Sequence, residues 1–385
     1  MHTRTSRFLA AGSALALAAL ALTGCSQRSG STKTSSSGSA GSSGSAASSG
    51  SAAPTGSSGG FPKGSLIGVA LPQKTSQNWV DAEGLFPKLL SAAGFKSQVQ
   101  FANSGVAEQQ SQISALISKG AKVLIVGAID GSQLGNQLAE AKSKGIPIIS
   151  YDRLVTNTKN VNYWVTFNPE RVGELQGESL LKGLAAKAGH PKPYTVELFA
   201  GSPDDSNAKV FFTGAMKVLQ PKINDGTLKV LSGQTTFEKV ATQGWLPNNA
   251  ASRMSSILTA KYSSAKLDGI LSPNDTIARA LLTTVKRAKG YYPPITGQDA
   301  DPSTIKLIAQ GVQYSTIDKA TLTQVTASVA MVKELSQGKK VDITNSTTNN
   351  GATSVPTDLL TPILVTKANA AAVFKNDPVR EPLTK

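Results

Sequence analysis

From residue 61 onward, short runs of consecutive apolar residues alternate with stretches of helical periodicity. Leu66-Ile67-Gly68-Val69-Ala70 reads as a buried strand, followed by a helix from Trp79 to Ala92. Gln98–Phe101 is a second strand. Ala107–Ser118 is a second helix, with Ile113, Leu116 and Ile117 at helical spacing and Lys119-Gly120 as its stop. Val123–Val126 is a third strand, Leu134–Lys144 a helix closed by Gly145, and Pro147–Ser150 a fourth strand. Strands that are apolar throughout have no face left for water. Separated by helices of this length, they imply βαβ units and a parallel sheet covered on both sides. The pattern then restarts with a helix (Gly173–Leu184), a strand (Tyr194–Phe199) and a helix (Ala208–Leu219). A further helix (Ala250–Ala260), strand (Leu267–Leu271) and helix (Ile277–Ala288) follow. The expectation is an α/β fold of two Rossmann-like lobes in tandem.

Upstream the pattern changes character. Arg4 and Arg7 precede an apolar stretch from Phe8 to Leu22, which ends in Leu22-Thr23-Gly24-Cys25. This is a secretory signal with a lipobox, in which the cysteine is lipidated and becomes the mature N-terminus. The stretch is shorter than the roughly 20 residues a spanning helix needs. Cys25 is the single cysteine of the chain, so it has no internal disulfide partner. The expected location is the extracytoplasmic face of the cell membrane, lipid-anchored, away from ATP, NAD and the chromosome. Residues 26–60 are almost entirely Ser, Gly, Ala and Thr, with nothing large enough to seed a core, and 26–62 reads as a flexible tether. The remainder exceeds what one compact core holds and suits two lobes.

The net charge of +15 invites a nucleic-acid reading. The lysines are instead scattered singly (Lys96, Lys119, Lys122, Lys142, Lys144, Lys159), and export removes the partner. A solvated basic surface near an anionic membrane or wall polymer is the expectation, with no nucleic acid bound. His2 and His190 are the only histidines, which leaves zinc sites and His-dependent triads almost nothing to work with. No metal and no cofactor are expected. The GSSGS pieces of the tether mimic a nucleophile elbow but lack the strand and helix that motif requires.

In open α/β sheets, ligand groups come from loops at the carboxyl ends of strands. The first strand leads to Asn78-Trp79, the third to Asp130-Gly131 and the fourth to Tyr151-Asp152-Arg153. In the second half, Phe199 is followed by a loop from Gly201 to Asn207, Leu271 by Ser272-Pro273-Asn274-Asp275, and Ile295 by Gly297-Gln298-Asp299. Ile317 is followed by Asp318-Lys319. Carboxylates accept hydroxyl protons, amides donate and accept, Arg and Lys donate, and an aromatic face covers the C–H side of a sugar ring. Together these suit a polyhydroxylated ligand. Each residue also has a plainer role open to it. Asp130, Asp275 and Asn207 could cap helices, and Trp79 and Trp245 could be packing. Asp152-Arg153 could be a structural ion pair, and Lys319 a solvated lysine.

Several of these stretches carry a resemblance. They are Ile67–Pro72, Ile148-Ile149-Ser150-Tyr151-Asp152-Arg153-Leu154, Gly173-Glu174-Leu175-Gln176-Gly177, the run from Gly201 to Ala208, Gly214–Leu219, Ser272-Pro273-Asn274-Asp275 and Gly297-Gln298-Asp299-Ala300-Asp301. In this order they resemble the periplasmic sugar-binding proteins of ABC importers. The type I, ribose/galactose-binding class is meant, and within it the xylose-binding and multiple-monosaccharide-binding receptors. The resemblance implies two lobes with parallel sheets joined by a hinge: residues 63–166 plus 320–351 for the first, and 167–319 plus 352–385 for the second. It places sugar contacts on Trp79, Asp152 and Arg153 in the first lobe, and on Asn207, Trp245, Asn274 and Asp299 in the second, with Lys319 at the hinge. Asn78 stands where the xylose-type pattern has Arg. Asn168-Pro169 stands where it has Asp-Asn after Phe, and Ala320-Thr321-Leu322 where Asp-Thr-Arg often follows the lysine.

The function so implied is binding, not catalysis. A monomeric lipoprotein would close around a monosaccharide (xylose-, glucose- or galactose-like) and deliver it to a membrane permease. The same cleft could instead report sugar as a co-receptor for a chemotaxis or two-component system. A secreted carbohydrate-active enzyme would need paired carboxylates. Asp152 and Asp299 are the nominees, and each is expected to face an Arg or Lys that keeps it ionised.

Overall fold

The computed structural model describes residues 59–343 and 346–385. The expected signal peptide 1–25, its Cys25 and nearly all of the 26–62 tether lie outside the described residues.

The first sheet is built on Leu66–Leu71 (β1), with Lys96–Phe101 (β2) and Val123–Val126 (β3) parallel on either side. Ile148–Tyr151 (β4) and Tyr163–Phe167 (β5) extend it, again in parallel. Every residue of β3, β4 and β5 is buried, as continuous apolar runs require when helices cover both faces. Those helices are Gln77–Ala92 (α1), Val106–Ser118 (α2) and Gly135–Ser143 (α3). Side chains alternate along β1, so Val69 joins Phe86, Leu90 and Tyr151 in one core layer, and Ala70 joins Leu116, Leu124 and Ile148 in the other.

The second lobe opens with Pro169–Lys187 (α4), capped by the Asn168 side chain, which accepts from Arg171 N at 3.1 Å. Tyr194–Leu198 (β6), Ala208–Asn224 (α5), Leu228–Lys229 (β7), Phe237–Val240 (α6) and Pro247–Lys261 (α7) follow. Next come Gly269–Leu271 (β8), Asp275–Lys289 (α8), Pro302–Ala309 (α9) and Ser315–Asp318 (β9). β6 is the centre of a parallel sheet ordered β7-β6-β8. α4 and α5 approach to backbone contact. A β-carbon on Gly173 would stand 1.9 Å from the Phe211 carbonyl oxygen, and one on Gly214 would stand 2.3 Å from that of Glu170. Both glycines belong to the stretches that carry the family resemblance.

After β9 the chain returns. Thr321–Ser336 (α10) packs on α1, and Thr347–Asn349 (β10) and Ser354–Leu360 (β11) complete a seven-stranded sheet ordered β10-β11-β5-β4-β3-β1-β2. β11 runs parallel to β5, with Leu360 opposite Phe167. The last passage to the second lobe therefore follows Leu360, and not 351/352 as expected. Ile363–Thr366 (β12) then pairs antiparallel with β9, before Ala370–Val373 (α11) and a terminal 3₁₀ turn, Glu381–Thr384. The physical reason is that β11 covers the outer edge of β5. It is half-buried and carries Pro356 and Asp358, so it lacks the apolar run that marks an interior strand.

Asp318 ends β9 at this hinge. Burial raises its carboxyl from 3.8 to about 6, against the pull of Arg380 and with a push from Asp377. The folded chain therefore holds a proton between about pH 4 and 6 that the unfolded chain has released, and stability falls as pH rises through that window. Asp318→Asn is expected to gain up to about 3 kcal/mol at pH 7 and nothing at pH 4, read from urea unfolding at both pH values. An equal gain at both would show that this carboxyl titrates normally.

Candidate ligand-binding site

The loops after β1, β4, β6, β8 and β9 meet where the two lobes face each other. They line a narrow cleft there. Its lining contains Asn78, Trp79, Asp152, Arg153, Trp245, Asn274, Asp299 and Lys319, all named from the sequence. Asn207 stands behind this wall. It opens α5 without capping it, and its amide donates to the Asp152 carbonyl at 3.0 Å and to Asp152 Oδ1 at 3.4 Å.

The charges interlock across the cleft. Arg153 Nε lies 2.9 Å from Asp205 Oδ2 of the other lobe, and one Nη1 donates to the Ala128 and Ile129 carbonyls at 3.2 and 3.4 Å. The ion pair entertained from the sequence, Asp152 with Arg153, is not formed. Asp152 faces Lys319 instead, at 3.9 Å, and Lys319 also contacts Asp299 at 3.0 Å. Lys319 is 8 % exposed, so it is not the solvated lysine the sequence left open. Burial alone would lower its pKa, but Asp299 and Asp152 outweigh this, and the ammonium is held above its ordinary value. Asp299 is pushed up by burial, with Lys319 pulling the other way. The expectation that a neighbouring cation keeps Asp299 ionised thus captured only the weaker influence. Burial also raises Asp205, against Arg153.

Three backbone positions in the lining are left-handed without being glycine: Asp152 (φ 61°), Trp245 (φ 57°) and Asp299 (φ 93°). Such conformations persist only where the surroundings over-determine them, and they concentrate at functional sites. Trp79 sits edge-on to Tyr151, with the Arg153 guanidinium 5.4 Å from its ring. Trp245 packs against Gly201, where a β-carbon would come within 2.2 Å of the indole, and its Nε1–H donates to Asp205 Oδ2 at 3.1 Å. Ser76 Oγ donates to Asn78 Oδ1 at 2.6 Å, which fixes that amide.

The remaining alternatives resolve locally. Asn274 is the N-cap of α8, accepting from Ile277 N at 2.9 Å, as well as part of the lining. Asp275 is neither cap nor ligand. It is a buried strut that accepts from Thr316 Oγ1, Gln313 Nε2 and the Asp301 amide. Asp130 closes its own turn on Ser132. Sequence reasoning missed Thr75, Ser76, Asp205, Phe211 and Gln298 as lining residues. Asp205 and Gln298 stand in loops already singled out. Phe211, one turn into α5, gave no signal beyond helical periodicity.

The arrangement is short of partners where a ligand would lie. In this lining Arg153 Nε and Asp299 Oδ1 make only their ion-pair contacts with Asp205 and Lys319, and Gln298 Oε1 is buried with no hydrogen-bond partner. A buried polar group left so costs about 1–3 kcal/mol until something satisfies it.

Residues 67–340 match the periplasmic binding protein domain. The chain belongs to the periplasmic binding protein family. Its relatives include the multiple sugar-binding periplasmic receptor ChvE of Rhizobium radiobacter, 41% identical over 315 residues, which cover 80% of this chain and 88% of the relative. The D-xylose-binding periplasmic protein of Escherichia coli K12 is 35% identical over 305 residues, 79% of this chain and 87% of the relative. Among solved structures, an ABC transporter solute-binding protein from Clostridium phytofermentans with bound β-D-glucose superposes with a TM-score of 0.78 at 37% identity, covering 83% of this chain and all of that one. As a periplasmic binding protein, the chain places its cavity between lobes, where this α/β fold puts the carboxyl ends of its strands.

Proposed function

We propose that this periplasmic binding protein is the monosaccharide receptor of an ABC importer, lipid-anchored through Cys25 on the extracytoplasmic face of the membrane. The observation that carries the reading is the buried polar set of Arg153, Gln298 and Asp299, which lines one cleft with Trp79 and Trp245. A sugar ring suits that set: hydroxyls donate to Asp299 and Gln298 oxygens and accept from Arg153, and C–H faces meet the indoles. The relatives named above for sugars, and the neighbour with bound glucose, support the ligand class.

The mechanism follows from where the groups stand. Asn78, Trp79, Asp152 and Arg153 belong to the first lobe, and Asp205, Trp245, Asn274 and Asp299 to the second. Only the closed form offers both sets at once, so a sugar that touches both stabilises closure by its differential affinity. The closed form is then the one that docks on the permease, within reach of the Ser/Gly tether. No helix among the described residues is long and apolar enough to cross a membrane, and anchoring is assigned to the lipobox of residues 22–25. Receptor chemistry also suits the charges better than hydrolysis does: Lys319 bridges Asp152 and Asp299 in place of a scissile bond.

The test is a thermal-shift screen against D-xylose, D-glucose, D-galactose and L-arabinose. A sugar held at one hundred times its Kd should add about 2.7 kcal/mol of stability. A flat response to every aldose would overturn the sugar assignment.

A further inference from the structure

We infer that Arg380 is a positioning residue for this cleft, its guanidinium tying the Asp299–Ala300 turn of the second lobe to helix α1 of the first. The inference rests on the sugar-receptor reading for its ligand, and on the following geometry for its substance.

Arg380 lies just before the terminal 3₁₀ turn, on the second-lobe side of the last crossing. Its Nε donates to the Ala300 carbonyl at 2.8 Å, and Nη1 donates to Asp377 Oδ2 at 3.1 Å. Nη2 reaches across the lobes to Asp81 Oδ2 at 3.3 Å. The side chain is only 16% exposed, and the Phe374 ring lies 6.0 Å from it.

Both ends of this tie matter to the cavity. Asp299 and Ala300 are consecutive left-handed residues, with φ of 93° and 51°, and neither is glycine. Their amides are held from within, Asp299 N on the Ile317 carbonyl at 2.9 Å and Ala300 N on Thr316 Oγ1 at 3.3 Å. The Ala300 carbonyl is held from outside by Arg380. A strained turn needs restraint from every side to keep one conformation, and Arg380 supplies the outer one. At the other end, Asp81 lies within one helical turn of Asn78 and Trp79 and is steadied by Gln77 Nε2 at 2.9 Å. One side chain thus braces the carboxylate that the second lobe brings to the ligand and the helix turn that the first lobe brings.

The experiment compares Arg380→Gln, Arg380→Lys and Asp81→Asn with the parent chain in titrations of D-glucose and D-xylose, and in small-angle scattering without sugar. Arg380→Gln loses both arms and should weaken sugar binding about tenfold, as expected for a hydrogen bond to a charged group. Asp81→Asn loses only the interlobe arm. It should weaken binding about threefold through faster sugar release, while leaving the sugar-free urea midpoint within the scatter of surface changes. Arg380→Lys keeps the Asp81 pairing and should retain the parent radius of gyration but not the full affinity. The double variant Arg380→Gln/Asp81→Asn should bind no more weakly than Arg380→Gln alone. Parent-like affinity in Arg380→Gln, or losses in the double variant that simply multiply, would overturn the inference. If the parent takes neither sugar, the receptor reading fails on its own. The tie is then decided by scattering: a larger radius in Asp81→Asn supports it, and an unchanged one refutes it.

Discussion

Arg153→Ala is expected to lose sugar binding by at least about a hundredfold and to destabilise the fold by about 3–5 kcal/mol. The two losses have different origins. Arg153 is 5% exposed and stands against Asp205, itself 6% exposed. Removing the guanidinium leaves that carboxylate buried without its main counter-charge, and breaking a buried pair on one side costs about 3–5 kcal/mol. The binding loss comes from the charge-assisted hydrogen bonds a sugar oxygen would receive, each worth about 1.5–3 kcal/mol, or one to two decades. A second substitution separates them. Asp205→Asn on the Arg153→Ala background removes the stranded charge and should recover much of the stability but none of the affinity. The pH dependence has a definite sign. Burial already raises Asp205, and without Arg153 its folded-state pKa rises further. A raised carboxyl costs least where it is protonated, so the stability deficit of Arg153→Ala should be smaller at pH 4 than at pH 7. A deficit that grew on acidification would show that Asp205 is not its source.

Gly201→Ala should weaken sugar binding about tenfold or more and destabilise by about 1–3 kcal/mol, although Gly201 donates nothing to a ligand. A β-carbon there would stand 2.2 and 2.3 Å from two atoms of the Trp245 indole, so the ring must move. Overpacking of this kind costs about 1–3 kcal/mol. The ring is fixed at three points: its left-handed backbone, its Nε1–H bond to Asp205, and its contact with the glycine. Displacing it weakens all three and takes from the sugar one of its two aromatic walls. Fluorescence of the chain should change at the same time, since Trp245 is one of only three tryptophans. Gly201→Ala with parent-like affinity would mean that Trp245 does not contact the ligand.

Much of this architecture could be read along the chain, because interior parallel strands announce themselves as unbroken apolar runs. β3 and β4 match the sequence reading almost to the residue, and the loop after β4 reaches the cleft as expected, whereas the loop after β3 does not. What escaped has physical reasons. β11 is half-buried and interrupted by Pro356 and Asp358, so it carries no apolar run and the last crossing is expected too early. Asp205 and Gln298 were inside loops whose content was noted but whose inward side chains could not be chosen. The partner of Arg153 could not be found locally, since Asp205 comes from the opposite lobe. Nor do left-handed Asp152, Trp245 and Asp299 leave any trace in composition. Their conformation is imposed by distant contacts, among them the Arg380 tie to Ala300.

A crystal structure of the chain grown with D-glucose or D-xylose tests the central claim most directly. The account predicts one sugar ring between Trp79 and Trp245, with hydroxyls on Arg153 and Asp299 and therefore contacts to both lobes. A sugar bound elsewhere, or held by one lobe alone with Arg153 still closed on Asp205, would contradict it.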